Sequence, residues 1–162
     1  MTKRIFCLAV VASIFVSRIS RTQFMDAEKF IKTLYLGDRT CKRILIDSWN
    51  ERCGIQINRI SRLKDKTSTW DFYTDDDLDD GWIVFDGVTS FAATPPGPIP
   101  NESIEIVEVT VLGGDGVMRF KISVGSVNQS GKISAVMIEI VASQISVETN
   151  EQFLSRLRGR PQ

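Results

Sequence analysis

Met118, Phe120, Ile122 and Val124 alternate with Arg119, Lys121 and Ser123, and this period of two is the tightest constraint on the fold. Only an extended strand puts every second side chain on one side; a helix would scatter the same residues around its axis. One face of this segment is therefore buried and the other is wet. The pattern is not confined to one place. Lys42 to Ser48, Ile55 to Leu63, Thr69 to Tyr73, Trp82 to Phe85, Ile104 to Leu112, Val117 to Val127 and Lys132 to Val147 all read as strands.

The segments between these runs carry turn chemistry. Asn50-Glu51-Arg52-Cys53-Gly54 reads as a hairpin connection, and the acidic stretch from Asp75 to Gly81 is expected to join Thr69–Tyr73 to Trp82–Phe85. Phe85-Asp86-Gly87-Val88 reads as a further tight reversal leading to Phe91. Gly113-Gly114-Asp115-Gly116 and Asn128-Gln129-Ser130-Gly131 separate the last three runs. Pro95-Pro96-Gly97-Pro98-Ile99-Pro100 lacks the amide donors that a central strand needs, so it is expected to be a crossover. Apolar parity slips by one between Ile106 and Val107, which predicts a β-bulge or burial on both faces.

Helical spacing appears only at the ends. Phe30, Ile31, Leu34 and Tyr35 recur with helical period from about Asp26 to Tyr35, and Gly37 stops the turn. Thr149 with Gln152 resembles a capping box for a short last helix before the basic tail Arg156, Arg158 and Arg160. The expected fold is mainly β, α+β at the margin: an antiparallel sandwich or partly open barrel of about eight strands, framed by short terminal helices. Residues 25–148 form one domain, and residues 149–162 supply the helix and basic tail.

A different composition precedes Met25. Residues 1–24 contain Lys3, Arg4, Arg18 and Arg21, an apolar run from Ile5 to Val16 and no acidic residue, whereas all twenty Asp and Glu lie beyond Met25. The layout is that of a secretory signal, but the expected cleavage positions carry Phe15 or Arg18 instead of small residues. Three readings stand: an upstream start codon that appends a nonnative leader, an atypical signal or anchor, and a buried element of the fold. The run is too short for a stable membrane span. A start at Met25 implies a cytoplasmic protein, and use of the leader implies export or anchoring.

Beyond the leader, sixteen Lys and Arg face twenty Asp and Glu. That mild acidity argues against nucleic-acid binding, which needs a concentrated cationic footprint. The chain contains no histidine. Imidazole-dependent triads and histidine-ligated zinc or haem sites are thereby excluded. Cys7, Cys41 and Cys53 are too dispersed for a zinc cluster, and a hairpin near Asn50 places Cys53 opposite a residue close to Ser48, several rungs from Cys41. No catalytic constellation, metal site or cofactor is expected.

The most suggestive local feature is Thr74-Asp75-Asp76-Asp77-Leu78-Asp79-Asp80-Gly81. Asp75, Asp77 and Asp79 alternate like the first ligands of a calcium loop, with Asp86 at the twelfth place. Asp80 at the glycine position and flanking strands break that match. Two readings remain: a solvated hairpin tip, or an acidic epitope of Asp75, Asp76, Asp77, Asp79, Asp80 and the adjoining Trp82 that steers a basic protein partner. Trp49, Trp70 and Trp82 are otherwise core or cross-strand aromatics. Gly37-Asp38-Arg39 reads as a helix stop with an Asp to Arg pair holding the turn.

The segments 25–30, 36–42, 83–88 and 96–101, reading MDAEKF, LGDRTCK, IVFDGV and PGPIPN, resemble a small uncharacterised family of bacterial, chiefly enterobacterial, proteins. The resemblance extends over nearly all of residues 25 to 148 and includes a start like that at Met25. It implies a small β protein of a kind suspected of immunity function, neutralising a toxin made by related cells. It carries over no catalytic residue. The expectation is a non-enzymatic protein-binding domain, immunity-like, that neutralises a basic toxin partner; the alternative is an exported small β protein binding a ligand or envelope component.

Overall fold

The structure, a computed structural model, describes residues 27–62, 77–113 and 116–157. The leader with Cys7, the Thr69–Tyr73 run with Trp70, the acids Asp75 and Asp76, Gly114-Asp115 and the tail arginines Arg158 and Arg160 lie outside the described residues. After a helical turn over residues 27–32 (α1) come β1 (Leu34–Tyr35), β2 (Cys41–Asp47), β3 (Arg52–Ile57), β4 (Arg59–Arg62), β5 (Leu78–Asp79), β6 (Trp82–Asp86) and β7 (Ser90–Thr94). The chain continues through β8 (Ile104–Val111), β9 (Met118–Val127), β10 (Ile133–Ala142) and β11 (Gln144–Glu148) to the terminal helix α2 (Asn150–Leu157).

Two four-stranded antiparallel sheets, ordered β11-β6-β3-β2 and β7-β10-β9-β8, form the sandwich, and β1-β4-β5 make a small third sheet. Eight strands thus carry the main layers, as the alternation predicts. Phe85 and Phe120 meet edge to face at 5.0 Å between the layers, among Ile55, Ile83, Ile122, Ile138 and Ile140. Strand β9 shows the pattern from which the fold was read: its even residues are buried and its odd ones half-exposed. Every residue of β3 is buried, because the first sheet is covered on its other face by α2. Trp82 stacks on Phe153 there at 4.0 Å, with Val84 beside them. Gly54 makes this contact possible, since a Cβ at that position would collide with the Phe153 ring.

The sandwich closes along one side because two connections turn from one sheet into the other. Ser143 alone separates β10 from β11, and its backbone N–H and hydroxyl both donate to the Asp86 carbonyl, at 3.0 and 3.1 Å. Gly87, at φ +64°, turns against it. The single run expected from Lys132 to Val147 is therefore two strands in different sheets. Likewise Phe85 to Val88 is a corner between sheets, in place of the expected tight reversal. Strand β6 pairs with β3 and β11, and the run 69–73 expected to pair with 82–85 lies outside the described residues.

Two further expectations change. The helix anticipated to Tyr35 ends at residue 32: the Thr33 hydroxyl takes the Phe30 carbonyl at 2.6 Å, and Leu34 and Tyr35 pair with Arg62 and Ser61. The run from Ile55 to Leu63 breaks at Asn58, whose Oδ1 accepts from the amides of Thr40 and Arg59 and turns β4 out of the sheet. The parity slip is a β-bulge, with Val107 extruded between Ile106↔Ile122 and Glu108↔Lys121. The capping box forms as read: the Thr149 amide donates to Gln152 Oε1 at 2.9 Å, and the Gln152 amide to Thr149 Oγ1 at 3.1 Å.

Candidate functional site

Of the acidic segment, the structure describes Asp77, Asp79 and Asp80. They surround the short strand β5, which pairs with β4 and so brings Arg59 directly opposite Asp79. Arg59 Nε donates to Asp79 Oδ1 at 2.7 Å, and its Nη1 lies 3.7 Å from Asp77 Oδ2. The two carboxylates hold the guanidinium above the usual arginine range, chiefly through the hydrogen bond to Asp79. Asp80 turns the chain at φ +53° and accepts from Lys42 Nζ at 2.6 Å. The segment is thus an ordered edge of alternating charge. Asp86, at the twelfth place of the would-be calcium loop, accepts instead from Arg52 at 2.6 Å and does not converge with Asp77 and Asp79.

Trp82 is placed differently from the acids. Its ring is fully buried under α2, and its indole N–H donates to Asn150 Oδ1 at 3.0 Å. It is interior packing and offers no surface to a partner, which corrects its inclusion in the acidic epitope. Asn150 also accepts from Gln56 Nε2 at 3.2 Å, and the same Gln56 nitrogen donates to the Asp80 carbonyl at 3.1 Å. Through Gln56 the acidic turn is tied to the start of α2.

Sequence reading missed a buried charge cluster in the same layer. Arg52, 6% exposed, donates to Asp86 and, at 2.9 Å, to Glu148, which also accepts from Arg156 at 2.8 Å. The Arg52 guanidinium lies 5.4 Å from the centre of the Phe153 ring. These partners stand on β3, β6, β11 and α2, with no local spacing to announce them. A charged residue in β3, a strand whose other residues include only one polar side chain, Gln56, is the available signal. The cluster clamps helix to sheet, while Arg52 Nη1 and Glu148 Oε2 are buried without a hydrogen-bond partner.

Two surface clefts lie among the described residues. One, of about 420 Å³, lies between Ile31, Leu34 and Leu36 on one side and Ile104 and Ile106 on the other, with Asp38 and Glu105 at its walls. The second, of about 540 Å³, lies between the proline crossover and the β9–β10 hairpin, with Ile99, Val127 and Lys132 among its walls. Asn101 bonds both backbone groups of Val127, which fixes the crossover against the hairpin. Gly37-Asp38-Arg39 is a turn, with Asp38 at φ +56°, but Arg39 is held by the Ser61 hydroxyl and the Tyr35 ring, not by Asp38. Cys41 and Cys53 are free and buried, paired in register with Ile57 and Ile46, and burial pushes their thiols up to about 11 and about 12. Among the described residues no helix is long and apolar enough to cross a membrane.

The chain belongs to a family of unknown function, DUF6258, whose sequence model matches residues 25–158. No curated protein and no solved structure matches the chain.

Proposed function

We propose that this member of DUF6258 is a non-enzymatic, protein-binding domain of the immunity kind, and that its basic partner engages the acidic edge from residue 75 to residue 80. The observation that carries the reading is the state of Asp79 and Asp80. Their side chains are 72% and 49% exposed, and each gives one oxygen to a cation from a neighbouring strand, leaving Oδ2 for a partner. The loop contains five Asp, and Arg59 and Lys42 pair only with three of them among the described residues. Among the described residues three carboxylates face two cations, so the charge presented there is negative.

Preordering matters here, because Asp77, Asp79 and Asp80, held by Arg59 and Lys42, lose less freedom on binding than free side chains would. The pairs that hold them are also exchangeable, since exposed ion pairs are screened by water and contribute little to stability. A basic partner can therefore replace Arg59 or Lys42 at small cost, and the acidic field steers its approach. The test is co-expression with a toxin-like product of an adjacent gene. Protection of the cells and co-purification of a complex support the reading; no complex at micromolar concentration together with no protection overturns it.

A further inference from the structure

The four outer strands of the two main sheets are finished in different ways. Strand β2 carries a bulge at Lys42 and the charges Lys42 and Arg43. Strand β8 carries the Val107 bulge and the charges Glu105 and Glu108. Strand β11 ends in the buried Glu148, which is bound by Arg52 and by Arg156 of α2, and runs directly into that helix. Bulges, charges and covering helices are the usual devices that stop an edge from pairing with another strand. Among the described residues strand β7, reading Ser90-Phe91-Ala92-Ala93-Thr94, carries no bulge, no charge and no covering helix, and the prolines Pro95 and Pro96 come only after it.

Among the described residues β7 pairs only with β10, on one side. On the other side the last backbone bond comes just before the strand, from the Val88 amide to the Glu51 carbonyl at 2.8 Å. Beyond it no described strand continues alongside residues 90–94. The edge therefore presents backbone donors and acceptors over about 17 Å, five residues of extended chain.

We propose that this edge pairs with the same edge of a second copy of the chain, antiparallel and centred on Ala92, joining two four-stranded sheets into one of eight. The strand is complementary to itself under that two-fold. Ser90 falls opposite Thr94 on the solvent face, and Phe91 falls opposite Ala93 on the core side, large against small. The burial pattern sorts the residues in this way, with Ser90, Ala92 and Thr94 exposed and Phe91 and Ala93 half-buried. No charge lies on the strand, so the symmetric pairing places no like charges face to face, which charged edges such as β2 or β8 could not achieve with themselves. Two-fold association of one patch with itself is also the commonest way for identical chains to associate.

The experiment is the mass of the full chain in solution, by sedimentation, across a wide range of concentration. The wild type is expected to double its mass as concentration rises. Ser90→Lys with Thr94→Lys, and separately Ser90→Glu with Thr94→Glu, place like charges opposite each other and should each remain at single-chain mass. Their equimolar mixture should recover the doubled mass. Positions 90 and 94 face Val141 and Met137 on β10, both uncharged, and both stand diagonal to Glu139, which pairs with Arg119; the lysine pair therefore meets no like charge within its own sheet, and folding of the glutamate pair is checked first by circular dichroism. Single-chain mass of the wild type at every concentration overturns the proposal, as does a dimer that survives in both variants. Should a variant fail to fold, hydrogen exchange of the wild type decides: amides of residues 90–94 gain protection with concentration if the proposal holds, and do not if it fails. A basic-partner complex through the acidic edge involves other residues, so either proposal can fail alone.

Discussion

Arg52 on β3 and Glu148 at the end of β11, 96 positions apart, join through a 2.9 Å bond between Nη2 and Oε1, with both side chains 7% exposed. Asp86 and Arg156 complete the network from more exposed positions, with side chains 31% and 63% open to solvent. Removing Glu148 leaves the buried Arg52 with Asp86 as its remaining carboxylate, and loss of one member of a buried pair costs up to about 3–5 kcal/mol. Glu148→Ala should lower the urea midpoint accordingly. The double change Arg52→Met with Glu148→Met should recover much of that loss, because Asp86 and Arg156 can turn to water. Equal loss in the single and double variants would contradict this account of the clamp.

Gly54 and Phe153 make the second link between sheet and helix. A methyl at residue 54 must displace the Phe153 ring, and through it the Trp82 stack. Overpacking of this kind costs about 1–3 kcal/mol. Gly54→Ala should therefore lower the melting temperature, and Phe153→Leu in the same chain should cost less than the two losses added. Simple additivity would mean that the ring and the glycine are not in contact.

The helix cap is a smaller, independent contribution. Thr149→Ala removes the acceptor for the Gln152 amide and should cost about 1 kcal/mol in denaturant unfolding. Gln152→Ala should cost less, as the Thr149 amide that it frees can meet water.

Cys41 and Cys53 give the pH dependence its alkaline limb. Their folded values, about 11 and about 12, lie above the ordinary thiol value of 9.0, so the folded state favours the neutral thiols. The resulting contribution is fully present below pH 9 and is lost as pH rises through the folded values. Unfolding near pH 10 should show a loss on the order of 1 kcal/mol per thiol relative to neutral pH. Cys53→Ala should lose its own share of that slope while Cys41 retains the rest. The same burial predicts that both thiols react with a disulfide reagent only as fast as the protein opens.

Much of this architecture is legible in the sequence wherever neighbours along the chain decide it. The alternation in β9, the bulge at Val107 and the Thr149–Gln152 cap all depend on residues within a few positions of one another. The separation of Cys41 from Cys53 also follows from the hairpin alone, which pairs them with Ile57 and Ile46. What the sequence hides is decided at a distance. Ser143 interrupts a β-branched run without a glycine or proline, and its bend is fixed by the Asp86 carbonyl, 57 residues away. Trp82 sits beside an acidic loop in sequence but beneath α2 in space, and only the position of Phe153 reveals that. Arg59 and Lys42 are likewise invisible as partners of the acids until β4 and β2 are placed.

That last arrangement holds the central claim, that the acidic edge is a preordered site for a basic protein. Its most direct test is titration of the full chain with the purified basic product of the adjacent gene at several salt concentrations, alongside the triple variant Asp77→Asn, Asp79→Asn, Asp80→Asn. The account predicts a complex that weakens steeply as salt rises, and a variant that binds at least tenfold more weakly, about 1.4 kcal/mol, with a shallower salt dependence. Binding that is unchanged by salt and by the triple variant, or no binding at any salt concentration, would contradict it.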